Sequence, residues 1–223
     1  MKHLKIALLS VLLISFFVIS TVAEEEENEK TEASITFVAD DESATNPKDP
    51  EDPDLPGSLP GTGMNGKLTL DYLPNFRFGS KSIGSGVEVF KAIDLAPYIQ
   101  VTDKRATGDG WKVQVSLGDF IGSNGSFKGI ITLSNGENVT VSNNNSTAPS
   151  AITPIVITSG EGVVNVVVAA ENARTGMGTW LTRWFPSTTE AIENDNVTLT
   201  VNTSNIIAGE YKAVLEWILT DAP

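Results

Sequence analysis

From Lys67 onward the chain is a succession of short apolar runs in which apolar and polar residues alternate, without the longer period of a helix. A period of two is the pattern of a strand with one buried face. Turn residues such as Asn124-Gly125 and Asn135-Gly136 separate the runs. The predicted strands are 67–72, 87–93, 98–102, 111–117, 128–133, 152–157, 163–169, 197–201 and 210–220. Roughly nine or more short strands predict an all-β fold, a single β-sandwich-like domain over residues 67–223.

The first 23 residues have the pattern of a signal peptide. Lys2 and Lys5 precede an apolar run that ends at Ile19, and Ala23 supplies a small residue for cleavage. We therefore expect a secreted protein that starts at Glu24. An uncleaved anchor is the alternative, because the apolar run reaches the lower length limit of a membrane span. In either case we expect the remainder to lie outside the cell.

Most of the negative charge lies in one segment. The formal net charge is −13, and residues 24–54 contain 13 acidic residues and two lysines. Five prolines between Pro47 and Pro60 favour an extended backbone. We predict that residues 24–66 form a disordered, acidic, Pro-rich tail or linker, in which residues 34–39 are a candidate for one additional strand. A Ca²⁺ loop built on Asp49, Asp52 and Asp54 is an alternative that lacks the spacing of an EF-hand.

The residue types that are absent limit the chemistry. The chain has no cysteine, and its one histidine, His3, lies within the predicted signal peptide. These absences exclude disulfides, thiolate nucleophiles, Ser-His-Asp triads and metal sites of histidine or cysteine from the mature chain. The acidic charge repels phosphate, so nucleic acid is not an expected partner. We expect no cofactor and no catalysis. A carboxylate pair and a Ser-Lys pair remain open, and a glycosidase that uses paired carboxylates is the enzymatic alternative.

Two predicted strands carry a tryptophan on an apolar face. In an extended strand, residues two apart point to the same side. Alternate residues from Trp111 to Leu117 are all apolar, and so are those from Tyr211 to Leu219, which include Trp217. Such faces favour burial of both tryptophans between packed sheets. The alternative is that they are exposed ligand platforms.

An ordered set of segments resembles the WxL-domain family of Gram-positive surface proteins. The resemblance rests on two motifs, Trp111-Lys112-Val113 and Trp217-Ile218-Leu219, and on Val-Thr-Asp-Lys-Arg-Ala-Thr-Gly at 101–108. Further similar segments are 35–37, the Asp-Pro-rich stretch, 68–72, 76–79, 178–180 and 219–223. Val113 stands where the family usually has leucine. If that leucine makes a surface contact in the family, the contact does not transfer to Val113.

The resemblance implies a protein of the cell surface that attaches non-covalently to the cell wall, with peptidoglycan as the suggested ligand. It also implies association with other surface proteins, including membrane-anchored WxL-interacting proteins. No stable membrane insertion is expected after signal cleavage. An adhesin that binds host matrix is the alternative function.

One aromatic segment, between Gly178 and Pro186, is a candidate ligand contact. Its candidate residues are Trp180, Arg183, Trp184 and Phe185. Aromatic faces stack on sugar rings, and arginine binds carboxylates such as those of peptide stems. The alternative is a covered loop that folds over a sheet edge. Two basic residues ahead of the first motif, Lys104 and Arg105, are further candidates.

Leu59-Pro60-Gly61-Thr62-Gly63 has the pattern of a sortase recognition site. It lies in the N-terminal third of the chain, and no apolar span and basic tail follow it. We interpret it as a Pro-Gly turn that leaves the linker. The expected attachment is therefore by means other than sortase, or the protein is released.

Overall fold

The computed structural model describes residues 32–40, 42–160, 165–171 and 174–221. Their contacts divide the chain into a unit that ends at Thr36 and a second unit that begins at Phe37 and contains every strand. The predicted signal peptide and the acidic run at 24–31 lie outside the described residues. Within the described ranges, no helix is long and apolar enough to cross a membrane.

The described residues are all-β, as the alternation predicts, and they contain no helix. The strands are β1 (Leu68–Tyr72), β2 (Val87–Ala92), β3 (Tyr98–Asp103), β4 (Trp111–Leu117), β5 (Phe120–Gly122), β6 (Gly125–Phe127), β7 (Gly129–Leu133), β8 (Glu137–Thr140), β9 (Ser150–Ala151), β10 (Ile155–Thr158), β11 (Asn165–Ala170), β12 (Gly178–Arg183), β13 (Asn194–Asn202), β14 (Tyr211–Lys212) and β15 (Leu215–Thr220).

These strands form four sheets, and every strand pair is antiparallel. We name each sheet after one of its strands. The β3 sheet has the order β1-β3-β12-β8, the β13 sheet β10-β7-β13-β2, the β4 sheet β15-β4-β11-β9, and the small β5 sheet β14-β5-β6. Most neighbours in a sheet are not consecutive in the chain, so the connections repeatedly cross from one sheet to another, as they do in β-sandwiches.

The core forms where the alternating strands turn their apolar sides inward. In β4, Trp111, Val113, Val115 and Leu117 are buried, whereas the residues between them are half-buried. β7 and β10 show the same alternation, and their buried side chains join those of β4 in one continuous cluster. Complete burial of each such side chain contributes about 1.5–3 kcal/mol to folding, so the alternation supplies most of the driving force for this arrangement.

The Pro-rich segment from residue 42 to residue 66, which we call the strap, is attached to the β3 sheet. The side-chain amide of Gln100 accepts a hydrogen bond from Lys48 N at 2.7 Å and donates one to Asn46 O at 3.2 Å. Tyr98 Oη donates to Lys48 O at 2.8 Å. The part of the predicted tail that begins at residue 42 is therefore held on the sheet surface by specific bonds.

The segment 34–39 does not form the additional strand for which it was a candidate, because residues 32–40 have no regular secondary structure. Its apolar side chains are not buried either. Ile35, Phe37 and Val38 are 76%, 86% and 83% exposed. Since a strand is stabilised by pairing and by burial of one face, the local apolar pattern alone does not form one here.

Candidate functional site

The two tryptophan motifs lie side by side in the β4 sheet. β15 pairs with β4 in antiparallel register, which places Trp217 opposite Val115 and Leu219 opposite Val113. The third residues of the two motifs therefore face each other across one ladder, although they lie 106 positions apart in the sequence. The motifs act as one structural unit.

Trp111 belongs to the core. Its side chain is buried, and its indole Nε1 donates a hydrogen bond of 3.0 Å to Gly176 O. Gly176 has a φ of +68°, and a Cβ added there would lie 2.6 Å from Ala170 Cβ and 2.8 Å from Trp111 Nε1. Only glycine fits between this indole and β11. The position of the carbonyl that accepts the indole hydrogen bond therefore depends on Gly176.

The second motif is more accessible. Trp217, Ile218 and Leu219 are half-buried, and β15 is the terminal strand of its sheet. Val113, by contrast, is completely buried. The replacement of the family's leucine by Val113 therefore changes packing inside the core, and in this fold that position makes no surface contact.

Trp180 and Trp184 are not the exposed platform that the sequence suggested. Trp180 is buried, and its Nε1 donates to Met177 O at 3.0 Å. Trp184 has an exposed fraction of 0% and packs into the main core cluster. The physical reason is that β12 is a strand between β3 and β8 and is covered on both faces, so it is neither an exposed platform nor a loop that folds over a sheet edge.

Arg183 and Phe185 are half-buried, but the arginine is already engaged. Its Nε and Nη2 donate to Glu137 Oε2 at 3.0 and 2.9 Å, and its Nη1 donates to Pro50 O at 2.6 Å. The guanidinium carbon lies 4.7 Å from the centre of the Phe185 ring. Arg183 thus fastens the strap to β12, and a peptide carboxylate would have to displace these partners.

Arg105 fixes the loop between β3 and β4. Its guanidinium donates to both carboxylate oxygens of Asp103, at 3.0 and 2.9 Å, and to Gly110 O at 2.6 Å. The hydrogen bonds that Arg105 donates to the Asp103 carboxylate raise the pKa of Arg105, which stays charged. Lys104, the other basic candidate, donates to Ser43 O of the strap at 3.1 Å. Both residues therefore have structural partners.

Replacing Arg105 by glutamine is expected to lower the free energy of unfolding by about 1–2 kcal/mol, because it removes charge-assisted bonds to Asp103 that are only partly exposed to solvent. Amide hydrogen exchange of residues 104–110 should accelerate in the same variant. Lys112→Gln, a loss of the same charge on the adjacent strand, is the control and should leave that exchange unchanged. Equal exchange in the two variants would contradict a fixing role for Arg105.

The sortase-like segment runs next to β1. Thr62 N donates to Asp71 O at 2.8 Å, and Thr62 Oγ1 donates to Leu70 O at 2.6 Å. A Cβ on Gly61 would lie 2.8 Å from Asp71 O, so the backbone approaches β1 closely at this glycine. These bonds give the segment a local structural role in the strap.

A buried carboxylate, Asp71, lies on β1, the terminal strand of the β3 sheet, and the sequence alone did not single it out. Asp71 accepts hydrogen bonds from Thr69 Oγ1 at 2.6 Å, Gln100 Nε2 at 2.9 Å and Thr102 Oγ1 at 2.6 Å. Burial raises the pKa of this carboxyl, and the three donors partly offset that effect. Gln100 binds both Asp71 and the strap, so the network joins β1, β3 and the strap. The sequence signal that could have revealed this carboxylate is an acidic residue inside an apolar strand.

An apolar groove of about 1010 Å³ opens on the surface, and the sequence did not predict it. Aromatic rings from separate segments line it: Phe76, Phe78, Phe90, Phe120, Phe127 and Tyr211. The Phe120 and Phe127 rings stack at 5.0 Å. The described residues contain no group of three or more acidic, histidine or cysteine side chains that could hold a metal ion.

The paired motif strands on an all-β fold define a surface-binding domain, the class that the family model below describes. The chain belongs to the WxL family: the family model described as "WxL domain surface cell wall-binding" matches residues 24–223. The resemblance that the motifs indicate is thereby confirmed, and the protein is a cell-surface, cell-wall-binding domain. Comparison with curated proteins and with solved structures finds no match.

Proposed function

We propose that this domain is secreted, binds peptidoglycan directly and without a covalent link, and assembles at the wall with other surface proteins such as membrane-anchored WxL-interacting proteins. The observation that carries the proposal is the family match over residues 24–223. A non-enzymatic role is consistent with that family, and the described residues give no reason to assign a reaction.

The exposed part of the motif pair is the best supported place for the ligand contact. Trp111 is buried and bonded to Gly176, so it serves the fold. Trp217 is half-buried on a terminal strand, where it packs against the main core cluster without being fully covered. Half-exposed aromatic side chains supply large contact areas to sugars and peptides at little cost in conformational entropy. We therefore place the wall contact around β15, and not at β12.

The test is co-sedimentation of residues 24–223 with purified Gram-positive sacculi. Wild-type protein should pellet, and Trp217→Ala should weaken binding by about tenfold or more, which corresponds to about 1.4 kcal/mol. Ile121→Ala, which removes an exposed apolar side chain from β5, is the control and should bind normally. Near-UV circular dichroism verifies that each variant is folded.

Two results would count against this proposal in different ways. Folded wild-type protein that stays in the supernatant would contradict direct wall binding, and attachment through partner proteins would become the account. Normal pelleting of a folded Trp217→Ala variant would leave wall binding in place but contradict the location at β15.

A further inference from the structure

The sortase-like pentapeptide at 59–63 is a sequence motif to which the proposed function gives no role. In the fold it belongs to the strap, where all five of its residues are exposed and none lies in a strand. The side chain of Leu59 is 51% exposed. Exposed segments without regular structure are the preferred places at which enzymes cut a folded chain. The turn that the sequence predicts here therefore keeps the motif accessible.

The peptide bond between Thr62 and Gly63, at which a sortase cuts its motif, is open. Within the part of the chain that the structure describes, neither Thr62 O nor Gly63 N has a hydrogen-bond partner. Gly63 has a φ of +76°, and a Cβ added there would meet no atom within 4 Å. An enzyme that approaches this side of Gly63 therefore meets no other part of the protein.

The contacts that hold the motif in place are few. Thr62 N donates to Asp71 O at 2.8 Å, and Thr62 Oγ1 donates to Leu70 O at 2.6 Å. Each hydrogen bond of this kind adds little to stability, because its groups can exchange the partner for water or for another protein. To enter the cleft of an enzyme, the motif has to release these two hydrogen bonds, and no side chain of the core has to move.

We propose that the Thr62–Gly63 bond is the substrate of a cysteine transpeptidase of the sortase class, which acts on the folded domain and transfers the part of the chain that ends at Thr62 to a primary amine. The enzyme's thiolate attacks the carbonyl carbon of Thr62, and the bond from that carbon to Gly63 N breaks. Gly63 N takes up a proton and becomes a new amino terminus. The amine then attacks the thioester, forms an amide with Thr62 and releases the thiol.

The two products are expected to stay together, because the anchors of the strap lie before the cut and their partners lie after it. Arg183 Nη1 donates to Pro50 O at 2.6 Å, and Ser142 N donates to Asp54 Oδ1 at 2.8 Å. Several contacts along one segment hold it far more firmly than any one of them alone. Transfer would thus attach the strap covalently to the amine, while the β domain from residue 63 onward stays clipped to it. This outcome does not depend on direct wall binding.

The test treats folded protein, residues 24–223, with a soluble sortase specific for Leu-Pro-x-Thr-Gly and with triglycine that carries a fluorophore. We expect a fluorescent fragment that ends in Thr62-triglycine and a second fragment that begins at Gly63, both identified by mass spectrometry. A peptide of residues 55–68 is the unfolded reference. Cleavage of that peptide without cleavage of the protein would overturn the proposal, and so would cleavage of neither.

Two variants show whether the enzyme recognises the motif. Pro60→Ala alters the motif and leaves both hydrogen bonds of Thr62 in place, and it should be cleaved about tenfold more slowly or less. Met64→Ala changes an exposed residue just outside the motif and should be cleaved at the wild-type rate. Near-UV circular dichroism verifies that both are folded. Equal rates for Pro60→Ala and wild type would contradict recognition of the motif and overturn the proposal.

Size-exclusion chromatography of the cleaved protein tests the clip. Under native conditions the fluorescent fragment should elute with the β domain, and in a denaturing gel the two fragments should separate. Elution of the fluorescent fragment by itself under native conditions would contradict the part of the proposal in which the strap keeps the domain attached.

Discussion

Replacing Trp111 by alanine is expected to lower the free energy of unfolding by about 3–5 kcal/mol, the cost of a large cavity in a packed core. The side chain is buried in the main cluster, and its loss would also leave Gly176 O without the indole donor. Urea unfolding followed by far-UV circular dichroism measures the change. The protein is expected to be only marginally stable, so the variant should be partly unfolded at 37 °C.

Two further variants separate packing from hydrogen bonding at this site. Trp111→Phe keeps most of the volume but not the Nε1 donor, and it should cost about 1–3 kcal/mol. Trp217→Ala removes the same residue type from the terminal strand, where it is half-buried, and should cost clearly less than Trp111→Ala. Equal losses of unfolding free energy for Trp111→Ala and Trp217→Ala would contradict the assignment of Trp111 to the core and of Trp217 to the sheet edge.

The second large effect is expected at Asp71. Its replacement by alanine leaves Thr69, Gln100 and Thr102 with unpaired buried groups, which should cost about 2–3 kcal/mol. Because Gln100 also binds Asn46 O and Lys48 N, the strap should loosen as well. Limited proteolysis within residues 42–66 measures that loosening, and strap resistance equal to wild type would contradict the coupling.

The pH dependence at Asp71 has a defined sign. Burial raises the pKa of the folded carboxyl above its ordinary value of 3.8, so the folded state binds the proton more tightly than the unfolded state. The contribution of this group to stability therefore increases as the pH falls through the raised pKa and levels off below 3.8. Asp71→Asn, which cannot titrate, is the reference. The stability of wild type relative to Asp71→Asn should rise toward acid pH, and parallel pH profiles would exclude the raised pKa.

Strands with one buried face were predictable from the sequence, whereas others were not. β4 and β7 alternate in burial, and their sequences alternate in polarity. β12 did not read as a strand, because Trp180, Leu181 and Thr182 are all buried between its neighbours. An aromatic run next to Arg183 looks the same in sequence whether it is an exposed loop or a covered strand. Only the position of β12 inside its sheet decides between the two.

The functional features depend on contacts between distant residues, which a single sequence does not report. The motifs themselves were recognisable, but the pairing of Val113 with Leu219 is a matter of register between β4 and β15. The groove is still harder to predict from the sequence, because Phe76, Phe120 and Tyr211 come together only after the sheets have packed. In its local sequence, each of these three aromatic residues looks like an ordinary core residue.

The strap also determines how the domain would bear mechanical load. Its hydrogen bonds reach three separate places: Gln100 in β3, Arg183 in β12 and, through Asp54, the backbone of Ser142 beyond β8. Tension applied through the chain ahead of residue 42 is consequently shared among several bonds, and no single pair has to resist it alone. A surface protein exposed to flowing liquid would thereby resist a pull from its N-terminal side without losing a strand from its own sheet.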